Sequence, residues 1–178
     1  MIKNKAVFLD RDGVINKSLI RNGKGYAPLK FEDFKLYKGV EVACRNLKRK
    51  NYKIIIITNQ PDVEKGKISY LQLNKMHNYL KKKIRYDDIY VSTSISKKNY
   101  YRKPNPGMII KAIKKNMIDI KLSYFIGDRK IDIDCAKKVA CKSIFIDRNY
   151  KEKKPKEQVF TTKSLNKAAN YIIENEKN

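Results

Sequence analysis

Lys53-Ile54-Ile55-Ile56-Ile57-Thr58 is the stretch on which the fold class turns. Its four consecutive isoleucines are β-branched and suit extended backbone. Successive side chains of a strand point to opposite faces. An unbroken apolar run therefore means burial on both faces, the condition of a strand inside a parallel sheet covered by helices. Upstream, Val40 to Leu47 has helical spacing and leads to a stop at Asn51. Downstream, Ser69 can cap a helix running to about Arg85, with Leu71, Met76, Leu80 and Ile84 near one face. Further out, Ala6-Val7-Phe8-Leu9, Ile89-Tyr90-Val91, Tyr124 to Gly127 and Ser143 to Ile146 are strand-like, and Val159-Phe160 is a closing edge strand. Helices are predicted from Pro106 through Ile113, from Asp132 to Ala140, and from a Ser164 cap through Ile173. Alternating strands and helices give an α/β fold of three layers, a mainly parallel sheet between helices on both faces. Its 178 residues fit one domain spanning residues 1–178. Three segments stay outside the pattern. Asn16 to Lys38 reads as an irregular lid or substrate loop without a large cap domain, Ser92 to Pro106 as a polar loop, and the run from Lys151 to Glu157 as solvated.

Composition narrows the function classes. Apolar residues make up 42% of the chain, enough for a globular core. Three cysteines, Cys44, Cys135 and Cys141, are odd in number and irregular in spacing, so no disulfide framework is expected. A reducing, cytoplasmic setting follows as the expectation. No apolar run approaches the length of a membrane span, and the N-terminal stretch does not read as a signal peptide. The net charge of +24 invites a polyanionic partner. Yet lysine far outnumbers arginine, the residue suited to bidentate phosphate contacts, and the lysines are spread along the chain. The charge is therefore read as solvated faces. A monomer with no membrane partner is expected, and nucleic acid is kept only as an alternative ligand.

In open parallel sheets, ligands bind at the carboxyl ends of the strands. The residues ending the apolar runs are Asp10, Thr58, Ser92 and Asp128. Any one of them could simply cap the following helix. Asp10-Arg11-Asp12-Gly13 does more: it sets two carboxylates two residues apart at a sharp turn. Paired carboxylates stay ionised best beside a cation, and magnesium prefers one or two carboxylates plus a phosphate. Asp128 can supply another ligand, and Asp132 lies about one helical turn on. Lys103, in Arg102-Lys103-Pro104-Asn105-Pro106-Gly107, offers a fixed positive charge suited to a phosphoryl group. The single histidine, His77, is read as a surface or half-buried residue remote from the strand ends.

Phe8-Leu9-Asp10-Arg11-Asp12-Gly13-Val14-Ile15-Asn16 resembles the first motif of the haloacid dehalogenase superfamily. Ile57-Thr58-Asn59-Gln60, Arg102-Lys103-Pro104, and Ile126-Gly127-Asp128-Arg129 with Asp132 are similar to its second, third and fourth motifs, in the right order. The resemblance implies a Rossmann-like fold and, through the second acid Asp12, a phosphatase branch. LDRDGxIN, TNQ and RKPxPGM are most similar to the group of heptose bisphosphate and histidinol-phosphate phosphatases. That implies Asp10 as nucleophile, Asp12 as general acid and base, and Thr58 and Lys103 as stabilisers of the phosphoryl group. Asn59, Gln60, Arg102 and Tyr26 would contact substrate. Asp10, Asp12 through its backbone carbonyl, and Asp128 would hold Mg2+. The implied substrate is a small phosphorylated sugar, D-glycero-D-manno-heptose 1,7-bisphosphate losing its 7-phosphate. Histidinol phosphate, a nucleic-acid 3′-phosphate and an idle binding module are the alternatives. Members of the group usually carry a zinc-stapled loop before RKP. The matching positions here are Ser92, Ser94, Asn99 and Tyr101, so no zinc is expected. Pro61-Asp62 replaces the usual small residues after TNQ.

Overall fold

The structure is a computed structural model and describes residues 3–176. In chain order the strands are β1 (Lys5–Leu9), β2 (Leu19–Arg21), β3 (Lys24–Tyr26), β4 (Tyr52–Asn59), β5 (Asp88–Ser92), β6 (Tyr124–Gly127), β7 (Lys142–Ile146) and β8 (Phe160–Thr162). The α-helices are α1 (Val40–Arg49), α2 (Pro61–Glu64), α3 (Tyr70–Ile84), α4 (Gly107–Asn116), α5 (Lys130–Lys137) and α6 (Leu165–Glu174). Six strands form one sheet in the order β5-β4-β1-β6-β7-β8. Every pairing within it is parallel.

The isoleucine run behaves as its chemistry requires. Ile54 and Ile56 enter one core with Val7, Leu9 and Ile126 against α1, α3 and α6. Ile55 and Ile57 enter the other with Ala6, Phe8 and Phe125 against α4 and α5. All four isoleucines are fully buried, each contributing roughly 2 kcal/mol of apolar burial. Burial on both faces fixes the register, since a slip by one residue would exchange the two cores. Leu9 accordingly pairs with Ile56 on one side and Ile126 on the other. Asp10, Thr58 and Asp128 are thereby brought to one sheet edge.

The helix caps follow the sequence. Ser69 Oγ accepts from the Gln72 N–H at 3.2 Å, and Ser164 Oγ accepts from the Lys167 N–H at 3.2 Å. The face of α3 differs from expectation: Leu71 is 81% exposed and Leu73 takes its place inside. α5 starts two residues before Asp132, because the Asp132 carboxylate accepts the Arg129 N–H at 3.1 Å and closes the first turn from its third position.

Two of the segments read as irregular or solvated are built. Asn16 to Lys38 contains the antiparallel β2–β3 hairpin and a 3-10 turn at Phe31–Asp33. The hairpin turns at Asn22-Gly23, both at positive φ (50° and 75°). Asn-Gly is the dipeptide that accommodates such a turn. The run after Lys151 is likewise fastened: Pro155 is buried, and Glu152 takes both Arg129 Nε (3.0 Å) and Nη2 (2.8 Å). No described helix is long and apolar enough to cross a membrane.

Candidate active site

β1 delivers Asp10 to the sheet edge, where its N–H donates to the Ile126 carbonyl at 3.0 Å. The chain then turns sharply through Gly13, at φ 90°. A Cβ there would overlap the Asp128 carboxylate, so glycine is required both for the turn and for the acid facing it. Gly127 likewise leaves the space that Asp132 occupies.

Lys103 enters from the loop before α4 and is 3% exposed. Its Nζ donates to Asp10 Oδ1 (2.7 Å) and the Ile57 carbonyl (2.9 Å), and lies 2.7 Å from Asp132 Oδ1. Asn59 locks the Lys103 backbone from both sides, donating to its carbonyl and accepting from its N–H, each at 3.0 Å. Burial disfavours the Lys103 charge, but Asp10 and Asp132 outweigh it and hold the ammonium above its ordinary range.

Acids outnumber that cation. Oxygens of Asp10, Asp128 and Asp132 lie within 4.8 Å of one another, all three residues buried. Both carboxylate oxygens of Asp128 are buried and make no well-aligned hydrogen bond, with only the Tyr150 hydroxyl facing them. Burial, reinforced by Asp10 and Asp132, pushes the Asp128 carboxyl well up. Burial likewise raises Asp10 to about 6, with Lys103 opposing and Asp132 and Asp12 adding to the rise. Three buried carboxylates at this spacing, served by one ammonium, suit a hard divalent cation with oxygen ligands.

Asp12 has opposite surroundings. Its carboxylate accepts from Arg11 Nη2 (2.9 and 3.0 Å), Asn16 Nδ2 (2.9 Å) and Gln60 Nε2 (2.7 Å). Gln60 also donates to Thr58 Oγ1 at 2.8 Å and accepts from Arg11 at 3.0 Å. Gln60, expected to touch substrate, is 2% exposed and spends its amide on Asp12, Thr58 and Arg11 instead. Thr58 is also buried, at the end of β4. Ser92 ends β5 with its carbonyl bonded to the Gln60 N–H at 2.7 Å, and its side chain does not line the site.

His77 departs from expectation. It is 7% exposed, and its Nε2 lies 3.1 Å from Arg11 Nη1. Position in the middle of a helix says nothing about which residues that helix faces, and α3 packs its inner side behind the β1 turn. Arg11, which in the sequence reads only as a spacer between two acids, is fully buried, the largest such side chain among the described residues.

A cavity of about 280 Å³ opens above the acids. Asp10, Asp12, Asp128, Asp132 and Lys103 form its floor. Tyr26, Asn59 and Arg102 line its walls, together with the cations Arg21, Lys24, Lys65 and Lys67. Arg102 is anchored by its guanidinium to the Ser94 carbonyl. The hairpin is docked over the site: the Lys151 N–H donates to the Gly23 carbonyl at 2.7 Å, and Gly25 packs against the Tyr150 ring too closely for any Cβ. In the loop before Lys103, Asn99 Oδ1 accepts the Tyr101 N–H (2.8 Å), and Asn105 Nδ2 donates to the carbonyls of Lys97 (3.1 Å) and Asn99 (2.9 Å).

A family model described as haloacid dehalogenase-like hydrolase matches residues 14–146. The chain is 37% identical over 157 residues to the D-glycero-alpha-D-manno-heptose-1,7-bisphosphate 7-phosphatase of Photorhabdus laumondii, covering 81% of this chain and 82% of that protein. It is 34% identical over 140 residues to the D-glycero-beta-D-manno-heptose-1,7-bisphosphate 7-phosphatase of Helicobacter pylori, covering 75% and 78%. In fold it is similar to the D,D-heptose 1,7-bisphosphate phosphatase from B. bronchiseptica, solved with magnesium and phosphate. The TM-score is 0.84 at 19% identity, over 96% of this chain and 99% of that one.

Proposed function

This chain belongs to the haloacid dehalogenase-like hydrolases and is a phosphatase, and from that premise we propose that it removes the 7-phosphate of D-glycero-D-manno-heptose 1,7-bisphosphate through a covalent intermediate on Asp10. One observation carries the mechanism: Lys103 Nζ sits 2.7 Å from the Asp10 carboxylate at the floor of a cavity walled by cations. The relatives' names carry the substrate. They differ in the anomer acted on.

In the first step an Asp10 oxygen attacks phosphorus and the bond from phosphorus to the sugar oxygen breaks, while Asp12 gives that oxygen its proton. In the second, Asp12 takes a proton from water, which attacks the aspartyl phosphate and frees inorganic phosphate and Asp10. Lys103 stays on the charged side throughout and, with the Thr58 hydroxyl, would stabilise the equatorial oxygens. Asp10, Asp128 and the Asp12 carbonyl would hold magnesium, which supplies charge neutralisation for the phosphoryl group. The Asp128 oxygens beside Asp10, which have no well-aligned donor, fit such an ion. A bisphosphate leaves its second phosphate near the cavity wall, where Arg102, Arg21 and Lys24 supply positive charge. The same wall disfavours the cationic amine of histidinol phosphate.

The test is kcat/KM for heptose 1,7-bisphosphate, heptose monophosphate, histidinol phosphate and a 3′-phosphorylated oligonucleotide, each with magnesium. The bisphosphate should lead by at least about tenfold, or about 1.4 kcal/mol of transition-state preference. A lead for histidinol phosphate or the oligonucleotide would overturn the substrate and leave the chemistry on Asp10 in place.

A further inference from the structure

Arg11 is an unusual residue to bury. A guanidinium taken out of water costs several kcal/mol unless its donors are matched, yet Arg11 has no exposed surface. Its donors are divided among three elements. The Nε and Nη2 edge faces Asp12, at 3.3 Å and at 2.9 and 3.0 Å, and Nη2 also reaches Gln60 Oε1 at 3.0 Å. Nη1 points the other way, to His77 Nε2 on α3 at 3.1 Å. Arginine cannot accept a hydrogen bond. His77 Nε2 must therefore be the acceptor, and the imidazole carries its proton on Nδ1. Consistently, burial, helped by Arg11 and opposed by Asp12, lowers His77 to about 4, so the ring is neutral at working pH. The Arg11 guanidinium carbon also lies 5.3 Å from the Phe34 ring centroid.

A planar fork held at one end by His77 and seated by Phe34 has one orientation left for its other edge. That edge is the one that grips Asp12. We propose that His77 is a positioning residue for the acid–base step: by fixing Arg11 Nη1 it sets where the Asp12 carboxylate stands. The inference rests on Asp12 being the proton donor to the leaving oxygen. It assigns His77 no contact with substrate.

The position of a proton donor matters in proportion to how much the leaving group needs a proton. A sugar alkoxide needs one; p-nitrophenolate hardly does. kcat/KM reports the steps through leaving-group departure, so it isolates the donor role of Asp12 from its later role as base. In His77→Leu the Nη1 anchor is lost. kcat/KM for the heptose bisphosphate should fall about tenfold, part of the roughly hundredfold or more that a positioned acid supplies. For p-nitrophenyl phosphate it should fall less than about threefold. His77→Gln, which restores an acceptor oxygen, should bring the sugar ester back to within about threefold of wild type. If His77→Leu does not fold, His77→Met, with only a weak acceptor, serves for the same ratio. An equal fall on both substrates would mean general loosening and would overturn the proposal, as would an unchanged sugar-ester rate. Asp12→Asn is run alongside. If it too spares p-nitrophenyl phosphate selectively, the donor assignment stands and the His77 result judges the inference alone. If it does not, the donor assignment itself falls.

Discussion

The two carboxylates of the first motif stand two residues apart and live in opposite surroundings. Around Asp10, acids exceed donors: Asp128 and Asp132 crowd in, one lysine serves the group, and neither Asp128 oxygen has a well-aligned donor. Around Asp12, donors exceed acids: Arg11, Asn16 and Gln60 converge on one carboxylate. The first arrangement is unfinished without a cation. The second is complete in itself and resists movement. One side of the turn is built to receive charge, the other to keep a carboxylate in place.

The sharpest way to break that contrast is at Asp10. Asp10→Asn keeps the shape and leaves Lys103 paired with Asp132, so the protein should fold while turnover drops by more than about 10⁴-fold, the scale of losing a covalent nucleophile. Near-normal phosphate release by a folded Asp10→Asn protein would end the covalent mechanism.

Next comes the cation. Chelation should abolish activity reversibly, and magnesium should raise the melting temperature of metal-free protein, with about 2.7 kcal/mol of stabilisation at a hundredfold excess over Kd. Asp128→Asn should erase that response. It should also make the metal-free protein melt higher than metal-free wild type, because an amide relieves the repulsion of a buried acid crowded by Asp10 and Asp132. A metal-free Asp128→Asn protein that melts lower would show that the contact with the Tyr150 hydroxyl outweighs that repulsion.

The donor-rich side makes a quieter prediction about pH. His77 falls from an ordinary 6.5 to about 4 in the folded state, through burial first and then Arg11. A lowered folded value means that the unfolded chain binds the proton more readily. The stability this group contributes is therefore present above pH 6.5 and lost as pH falls from there toward about 4, by roughly 3 kcal/mol. Asp10, raised to about 6, pulls the other way over part of that range. The difference between wild type and His77→Gln isolates the histidine. Denaturant melts across the range should show the wild type losing more stability on acidification than His77→Gln; parallel curves would mean that His77 is not held neutral.

How much of this was legible depends on which residues carried it. The isoleucine run announced a sheet buried on both faces, and the strand ends then placed Asp10, Thr58 and Asp128 on one edge. Those are local signals with one structural outcome. The donor side was hidden because its partners come from three elements. Arg11 looks like a spacer between two acids, Gln60 like the tail of a motif, and His77 like a mid-helix polar residue. Nothing in a single sequence says that α3 aims that histidine at the turn after β1. The hairpin does have a local signal: Asn22-Gly23 favours positive φ and a tight antiparallel return. Leu71 and Leu73 show a smaller failing, since a two-residue error in phase exchanges the inner and outer faces of α3.

The smallest effect should come from the cavity wall, which belongs to neither side of the turn. Lys65 and Lys67 flank Gly66 just after α2 and are exposed, with Lys65 Nζ 3.6 Å from Asp62. Both line the cavity whose floor holds Asp10. Charges in water act weakly, typically at or below about 1 kcal/mol apiece, and fade over about 8 Å at physiological salt. They touch neither the nucleophile nor the donor. They can attract a second phosphate, and they bind it equally in the ground and transition states. Such uniform binding appears in KM and not in kcat. Lys65→Ala with Lys67→Ala should therefore raise KM for the heptose bisphosphate about threefold to fivefold, less at high salt. The monophosphate should hardly notice, and kcat should hold for both. A fall in kcat would mean that the wall reaches the reacting phosphate, and the division between a buried centre that does chemistry and a rim that gathers substrate would have to be redrawn. An equal rise in KM for both substrates would mean that the lysines attract any phosphate and read no second one.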